Sequence, residues 1–157
     1  MNRRSCERLA PVLEPGIAPE TLCFSSEVFF YFLERELAQA ERYGNYSAFV
    51  VCRLSAPDGE QQRQVVQEAV RCLGRNIRAT DYLGMVDTDS AGIILQNTTV
   101  ENAAIAASRL EEEVSLQLSA LNGGSEFSLV FAVYPTEANT FQALKTLVTT
   151  RLGETVQ

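Results

Sequence analysis

Three charged side chains near the middle of the sequence could bind a phosphate-containing ligand, the two arginines through its phosphates and the aspartate by accepting from N–H groups of a base. Arg78 and Asp81 are three residues apart, and Arg109 follows on a later segment. A guanidinium group offers parallel N–H donors to phosphate oxygens or to the edge of a nucleobase, and it can stack on a flat ring. The same residues could instead form a solvated surface, with Arg78 and Asp81 as a local ion pair worth less than about 1 kcal/mol. In that case, the glutamates at positions 111–113 would neutralise Arg109.

Asp87 and Asp89 are a second candidate site, because carboxylate oxygens are the ligands that divalent cations prefer. Both lie in the polar stretch Asp87-Thr88-Asp89-Ser90 between two apolar segments. Aspartates at such positions more often stabilise the turn of a hairpin. The turn is therefore the favoured interpretation, and no metal site is predicted.

The chain lacks the residues on which several other chemistries depend. It contains no histidine, and its four cysteines, at positions 6, 23, 52 and 72, form no Cys-x-x-Cys pair. Zinc sites of the common Cys/His types are therefore not expected, and neither is a Ser-His or Cys-His nucleophile. The cysteines are predicted to be buried, reduced thiols of a cytoplasmic protein.

Composition favours one soluble globular domain. The 157 residues are 46% apolar and 21% charged, which is enough to build a core without disulfides or metals. The formal net charge of −7 argues against broad binding to nucleic acids or membrane surfaces, whose phosphates would be repelled. No secretory signal and no membrane-spanning stretch is recognisable, so a cytoplasmic location is predicted.

The first twenty residues differ in character from the rest. They include three prolines and a glycine, and residues 1–20 are therefore predicted to be a tail or linker. Residues 21–157 are predicted to form the single domain.

Apolar periodicity in that domain predicts four helices and four strands. Ser25-Ser26-Glu27 opens the first helix and Gly44-Asn45 ends it, whereas Thr98 with Glu101 predicts a capping box for the third. The remaining elements are a buried central strand at 48–52, a helix at 60–76, strands at 79–86 and 91–96, a helix at 98–118, a strand at 127–134 and a helix at 140–151. The predicted fold class is α+β, with helices covering a mixed, mostly antiparallel sheet.

Four consecutive aromatic residues, Phe29 to Phe32, lie in the first helix. A single helical stripe cannot bury all four, so Phe30 or Tyr31 is expected to face outward.

Several short segments, taken in order, resemble the GGDEF (diguanylate cyclase) domain over about residues 22–150. They are Leu37 to Gly44 with its Arg-Tyr-Gly ending, Arg78 to Gly84, Ile93 to Thr99, Ala106 to Leu110, and Val133-Tyr134-Pro135. The resemblance implies the nucleotidyl cyclase-like fold, a ferredoxin-like palm with helices flanking the sheet. It also implies a role in bacterial signal transduction.

The family's catalytic residues are missing from the matching positions. The signature Gly-Gly-Asp/Glu-Glu-Phe aligns with Asp87-Thr88-Asp89-Ser90-Ala91, and the metal-binding aspartate of the first strand aligns with Cys52. The substrate loop after that strand is shortened to residues 55–59. Because phosphoryl transfer depends on metal charge and positioning, the chain is expected to be a degenerate GGDEF domain without enzymatic activity, catalytic residues or cofactor.

The resemblance also assigns a role to the arginines. Arg78 and Asp81 precede the signature position by the same spacing as the family's Arg-x-x-Asp inhibitory site, which binds cyclic di-GMP, and Arg109 matches a second arginine that contacts this ligand. The resemblance therefore implies a cyclic di-GMP receptor, in which the ligand could bridge two chains. The alternative is a nucleotide-independent scaffold for a protein partner or a homodimer. Residual GTP binding is a third alternative.

Overall fold

A computed structural model describes residues 22–121 and 123–155 of the chain. The predicted tail, residues 1–20, lies outside the described residues. The described part contains five strands and four helices, one strand more than the sequence predicts. In chain order they are β1 (Cys23–Phe24), α1 (Ser26–Tyr43), β2 (Ser47–Ser55), α2 (Gly59–Arg75), β3 (Tyr82–Asp87), β4 (Ser90–Gln96), α3 (Val100–Ser119), β5 (Glu126–Tyr134) and α4 (Phe141–Thr155).

The helix ends follow from local chemistry. Gly44 ends α1 with φ +70°, a left-handed conformation that glycine adopts without steric cost. Asp58 caps α2 by accepting a hydrogen bond from the Gln61 N–H. The predicted capping box at Thr98 is wrong, because the next residue, Thr99, accepts from the Asn102 N–H and is the cap of α3. Thr98 is buried and has another role, described below.

The five strands form one sheet in the order β1-β3-β4-β2-β5. Only β1 with β3 is a parallel pair, and the other three pairs are antiparallel. The predicted α+β class with a mixed, mostly antiparallel sheet is therefore confirmed. β1 escaped prediction because two residues are too short to show a periodicity.

Helices cover both faces of the sheet, and β2 lies between β4 and β5. Val50 and Cys52 face the core formed with α2 and α3, whereas Phe49 and Val51 face the core formed with α1 and α4. Burial on both faces explains why this strand is a continuous apolar run. No helix of the described residues is long and apolar enough to cross a bilayer.

The aromatic run in α1 divides as its helical geometry requires. Phe29 is fully buried, Phe30 and Phe32 are partly buried, and Tyr31 is exposed, which confirms the expected outward residue. The Phe29 ring lies over Gly84 of β3 and Gly92 of β4, which are paired across the two strands. A Cβ atom on either glycine would lie 2.7 Å from Phe29 atoms. The space that the Phe29 ring occupies therefore exists because these two residues have no side chain.

The outer margin of β5 carries an ion pair. Arg151 of α4 donates to both carboxylate oxygens of Glu137 and also to the Phe131 carbonyl. Glu137 in turn accepts from the Val133 N–H at 3.0 Å. The hydrogen bonds and positive charge of Arg151 hold the pKa of the Glu137 carboxyl below its ordinary value, against the opposing effect of burial.

Candidate functional site

Arg78 and Asp81 lie in the loop between α2 and β3. Asp81 is therefore outside the strand, which was predicted to begin at residue 79 and begins at Tyr82. The Asp81 carboxylate accepts from Arg78 Nε at 3.2 Å, from Nη2 at 3.1 Å and from the Arg78 backbone N–H at 3.0 Å. It also accepts from the Gln96 N–H at 3.3 Å. The Asp81 side chain is 1% exposed, so its hydrogen bonds are made inside the protein.

The Arg78 guanidinium also ties this loop to the junction between β4 and α3. Its Nη2 donates to the Gln96 carbonyl at 2.7 Å and to Thr98 Oγ1 at 3.0 Å. The Thr98 hydroxyl itself donates to the Gln96 carbonyl. Arg78 is nevertheless 56% exposed, and its Nη1 makes no hydrogen bond to any described residue. The Nε and Nη2 groups of Arg78 therefore hold the loop in place, whereas Nη1 remains available to a ligand or to solvent.

Arg109 lies on the exposed side of α3. Its Nη2 donates to the Asn76 carbonyl at 2.8 Å, which connects α3 to the end of α2. Across residues 22–121 and 123–155, no carboxylate lies within salt-bridge distance of this guanidinium. The glutamates at 111–113 therefore do not form an ion pair with Arg109, contrary to the surface interpretation of the sequence.

The structure brings Arg78 and Arg109 together on one surface depression of about 230 Å³. Asn97, Asn102 and Ile105 also line it. Sequence reasoning missed both asparagines. Asn97 has φ +49°, a left-handed conformation that asparagine tolerates better than most residues. Its position between a strand and a helix cap is the sequence feature that could have pointed to it. The depression thus combines two guanidinium groups, two amides, the Asp81 carboxylate, the Thr98 hydroxyl and three apolar side chains, which are Leu95, Ile105 and Ala106.

The β3–β4 hairpin is closed by its own aspartates. Asp87 Oδ1 accepts from the Asp89 N–H at 2.9 Å, as turn-forming aspartates do. The Asp89 carboxylate accepts from Gln62 Nε2 at 3.0 Å. Thr88 and Asp89 are exposed at the tip, whereas the two residues that follow them, Ser90 and Ala91, are buried. These contacts support the predicted turn role of the acidic residues.

Cys52 lies opposite Ala91 in the pairing of β2 with β4 and is 1% exposed. Burial raises the pKa of its thiol to about 12, with smaller contributions from Cys72 and Glu111. Cys52 is therefore a neutral thiol near pH 7, which is a poor ligand for a hard cation such as Mg²⁺. Within the described part of the chain, no cluster of three or more Asp, Glu, Cys or His side chains could hold a metal ion.

Comparison with solved structures identifies the fold. A DGC protein from Thermotoga maritima matches with a TM-score of 0.70 at 15% identity, over 85% of this chain and 98% of that one. The GGDEF domain of DgcB from Caulobacter crescentus, solved in complex with c-di-GMP, matches with 0.74 at 15% identity, over 89% and 84%. The FimX GGDEF domain from Pseudomonas aeruginosa matches with 0.73 at 13% identity, over 88% and 90%.

This chain has the GGDEF-domain fold. No protein-family model and no curated protein matches its sequence. At identities of 13–15%, the structural matches establish the fold alone.

Proposed function

We propose that this chain is a non-catalytic GGDEF-fold module that binds cyclic di-GMP at the depression between Arg78 and Arg109. The observation that carries the proposal is the convergence of these two guanidinium groups on one open surface. The DgcB GGDEF domain, which has the same fold, was solved with c-di-GMP bound. A receptor of this kind would act as a regulatory module in cyclic di-GMP signalling.

The depression suits one phosphodiester with its attached base. The unused Nη1 of Arg78 and the exposed guanidinium of Arg109 can both donate to phosphate oxygens. The amides of Asn97 and Asn102 offer donors and acceptors to the polar edge of a guanine. At about 230 Å³ the depression holds a part of the dinucleotide, and the rest would extend over the surrounding surface or to a second chain.

Asp81 would act in this proposal as a positioning residue. Its buried carboxylate is already occupied by the Arg78 side chain and by two backbone N–H groups. It therefore fixes the direction of the guanidinium, and Arg78 and Arg109 would make the contacts with the ligand. The sequence-based hypothesis gave Asp81 a contact of its own with the base.

The expected lack of catalysis is supported by the residues at the signature hairpin. Glycines there would let the backbone approach the phosphates of GTP, but Asp87 and Thr88 bring side chains and one negative charge instead. Asp89 retains a carboxylate, which Gln62 engages. The neutral, buried thiol of Cys52 replaces the other metal-binding acid of the family. Joining two GTP molecules requires metal charge that this set of residues does not supply.

Incubation of the purified protein with GTP and Mg²⁺ is expected to yield no cyclic di-GMP. The physical reason is the lost cation site, so raising the Mg²⁺ or GTP concentration should not restore turnover. Chromatography of the nucleotides measures the product, and an active diguanylate cyclase in parallel validates the assay. Cyclic dinucleotide formed in proportion to the amount of protein would contradict the proposal.

Calorimetric titration with cyclic di-GMP is expected to show binding that Arg109→Ala weakens at least about tenfold, or about 1.4 kcal/mol. Arg109 is a better test residue than Arg78, because its side chain makes a single hydrogen bond within the described residues, to the Asn76 backbone carbonyl. Arg63→Ala is the matched control, since Arg63 is an exposed arginine of α2 that does not line the depression. The affinity of Arg63→Ala for cyclic di-GMP should equal that of the wild type.

The absence of heat at saturating cyclic di-GMP would overturn the receptor proposal, and so would equal affinities of Arg109→Ala and Arg63→Ala. The scaffold alternative would then gain support if a protein partner were recovered by pull-down. Ile105 and Leu116 are largely exposed apolar residues of α3 and would be the first positions to substitute in that case.

A further inference from the structure

The outer face of α3 carries two apolar side chains that no described residue covers. Ile105 and Leu116 are 69% and 68% exposed, more than any other large hydrophobic side chain in the described part of the chain. Isolated apolar residues are common on protein surfaces. These two, however, lie about three helical turns apart on a single face. That face is opposite the buried one, which consists of Ala103, Ala107, Leu110, Val114 and Leu118.

Two charged residues lie between the apolar pair on the same face. The steps from Ile105 to Arg109, then to Glu112 and then to Leu116 are four, three and four residues. This alternation is the spacing of the contact seam in a coiled coil. All four side chains are exposed. The outer face of α3 therefore has the pattern of a helix that packs against a second helix.

Neither charge of this seam is neutralised by its own chain. Within the described residues, no carboxylate lies within salt-bridge distance of Arg109, and no basic group lies within that distance of Glu112. The one hydrogen bond that the Arg109 side chain makes in this part of the chain leads to the Asn76 carbonyl. Both groups are therefore available to an opposite charge on another molecule.

An antiparallel pair of α3 helices would satisfy all four residues of the seam. Ile105 would pack against the partner's Leu116. Arg109 would then lie against the partner's Glu112, because each is four residues closer to the middle of the helix pair. Two-fold symmetry repeats both contacts. A parallel pair would instead bring Arg109 to the partner's Arg109, so the charges favour the antiparallel orientation.

The rows on either side of the seam contain no like charges that would face each other. In the antiparallel register, Ala106 lies beside the partner's Glu113, and Ser108 lies beside the partner's Ser115. The net charge of −7 on each chain opposes association at long range. Salt at physiological ionic strength screens this repulsion beyond about 8 Å.

We propose that this face of α3 is a homodimer interface, in which two copies of the chain pack antiparallel through Ile105, Arg109, Glu112 and Leu116. The apolar contacts supply the burial, and the two ion pairs set the register. A second copy is favoured over another protein because the seam is complementary to itself. One helix pair buries less than the roughly 1,200 Å² of a standard interface, so the dimer is weak.

Sedimentation equilibrium of the purified protein at physiological ionic strength tests the dimer. We expect a monomer–dimer equilibrium with a Kd on the order of 0.1 mM. Leu116→Ser should weaken it at least about tenfold, because it removes one apolar partner from both ends of the seam. Its side chain is largely exposed in the monomer, so the fold should be retained, and circular dichroism checks this.

Charge reversal tests the pairing across the two-fold axis. Arg109→Glu and Glu112→Arg should each weaken the homodimer at least about tenfold, since like charges then face each other. Mixed in equal amounts, the two variants should form a heterodimer, because one chain supplies only glutamates at these positions and the other only arginines. Arg63→Glu is the matched control. It changes the net charge as Arg109→Glu does, at an exposed position of α2, and should dimerise like the wild type.

Three results would overturn the proposal. The first is a wild-type protein that stays monomeric at about ten times the expected Kd. The second is a mixture of Arg109→Glu and Glu112→Arg that associates no better than either variant alone. The third is equal weakening by Arg63→Glu and Arg109→Glu, which would mean that total charge, and not the seam, controls association.

These measurements are made without cyclic di-GMP, so they do not depend on the proposed function. Arg109 also lines the depression assigned to the ligand, whereas Leu116 does not. Leu116→Ser should therefore lose the dimer and keep at least the wild-type affinity for cyclic di-GMP. Dimerisation without cyclic di-GMP binding would support the interface and refute the receptor. Cyclic di-GMP binding by a protein that stays monomeric would do the reverse.

Discussion

Gly84→Ala is expected to destabilise the protein by about 3 kcal/mol, the upper part of the range for overpacked cores. The added Cβ would lie 2.7 Å from Phe29 Cβ and Cδ2. The first of these atoms is adjacent to the helix backbone, so α1 itself would have to move away from the sheet. Urea unfolding followed by circular dichroism measures the change in the free energy of unfolding.

Gly124→Ala is the matched control, because a Cβ at Gly124 would meet no atom within 4 Å. We expect it to change stability by less than about 0.5 kcal/mol. A second arm uses Phe29→Ala, which removes Cγ and Cδ2, two of the three atoms that crowd the new methyl group. The double variant with Gly84→Ala should be more stable than the sum of the two single changes predicts. If Gly84→Ala were as stable as Gly124→Ala, the described packing of α1 on the sheet would be wrong.

Arg78→Ala is expected to cost about 2 to 3 kcal/mol of stability, apart from any effect on ligand binding. Removing the guanidinium leaves the buried Asp81 carboxylate without its charged partner, a change that is strongly destabilising in buried pairs. It also removes the donors to Gln96 and Thr98. Because Arg78 is itself half exposed, this cost is smaller than the roughly 3 to 5 kcal/mol of a fully buried pair. Thermal or urea unfolding without ligand tests it.

Arg78→Lys should recover only part of this loss, since an ammonium group cannot reproduce the two parallel hydrogen bonds to Asp81. Arg109→Ala serves as the comparison and should cost less than about 1 kcal/mol, because it removes one exposed hydrogen bond. Equal stability of the two alanine variants would mean that Arg78 does not hold the loop. If the expectation holds, loss of cyclic di-GMP binding in Arg78→Ala cannot by itself locate the ligand, whereas loss in Arg109→Ala can.

The sequence predicts the elements with a strong periodicity. The apolar face that predicts α1 consists of Val28, Phe29, Phe32, Leu33, Leu37 and Ala40. Four of these residues are buried, whereas Val28 and Phe32 are only partly buried. The capping threonine was misassigned by one residue, because Thr98 and Thr99 are chemically alike. Only the tertiary contact of Thr98 with Arg78 decides which of the two lies outside the helix.

The candidate site was predictable in its residue types and not in its geometry. The resemblance to the GGDEF domain selects Arg78, Asp81 and Arg109. Whether the Asp81 carboxylate faces a ligand or the protein depends on the Gln96 N–H, which lies 15 residues further along the chain.

The ion pair of Glu137 with Arg151 has a consequence for self-association. A strand at the margin of a sheet can recruit a strand from another molecule and seed aggregates. Here the Phe131 carbonyl and the Val133 N–H are already occupied by the pair, so this part of the margin cannot template fibril growth. The contribution of this ion pair to the free energy of unfolding is complete above the ordinary carboxyl pKa of 4.5. It is lost as the pH falls through the lowered pKa of Glu137. Strong acid would therefore break the ion pair that holds Glu137 against the Val133 N–H, and this N–H would become available to a strand of another molecule.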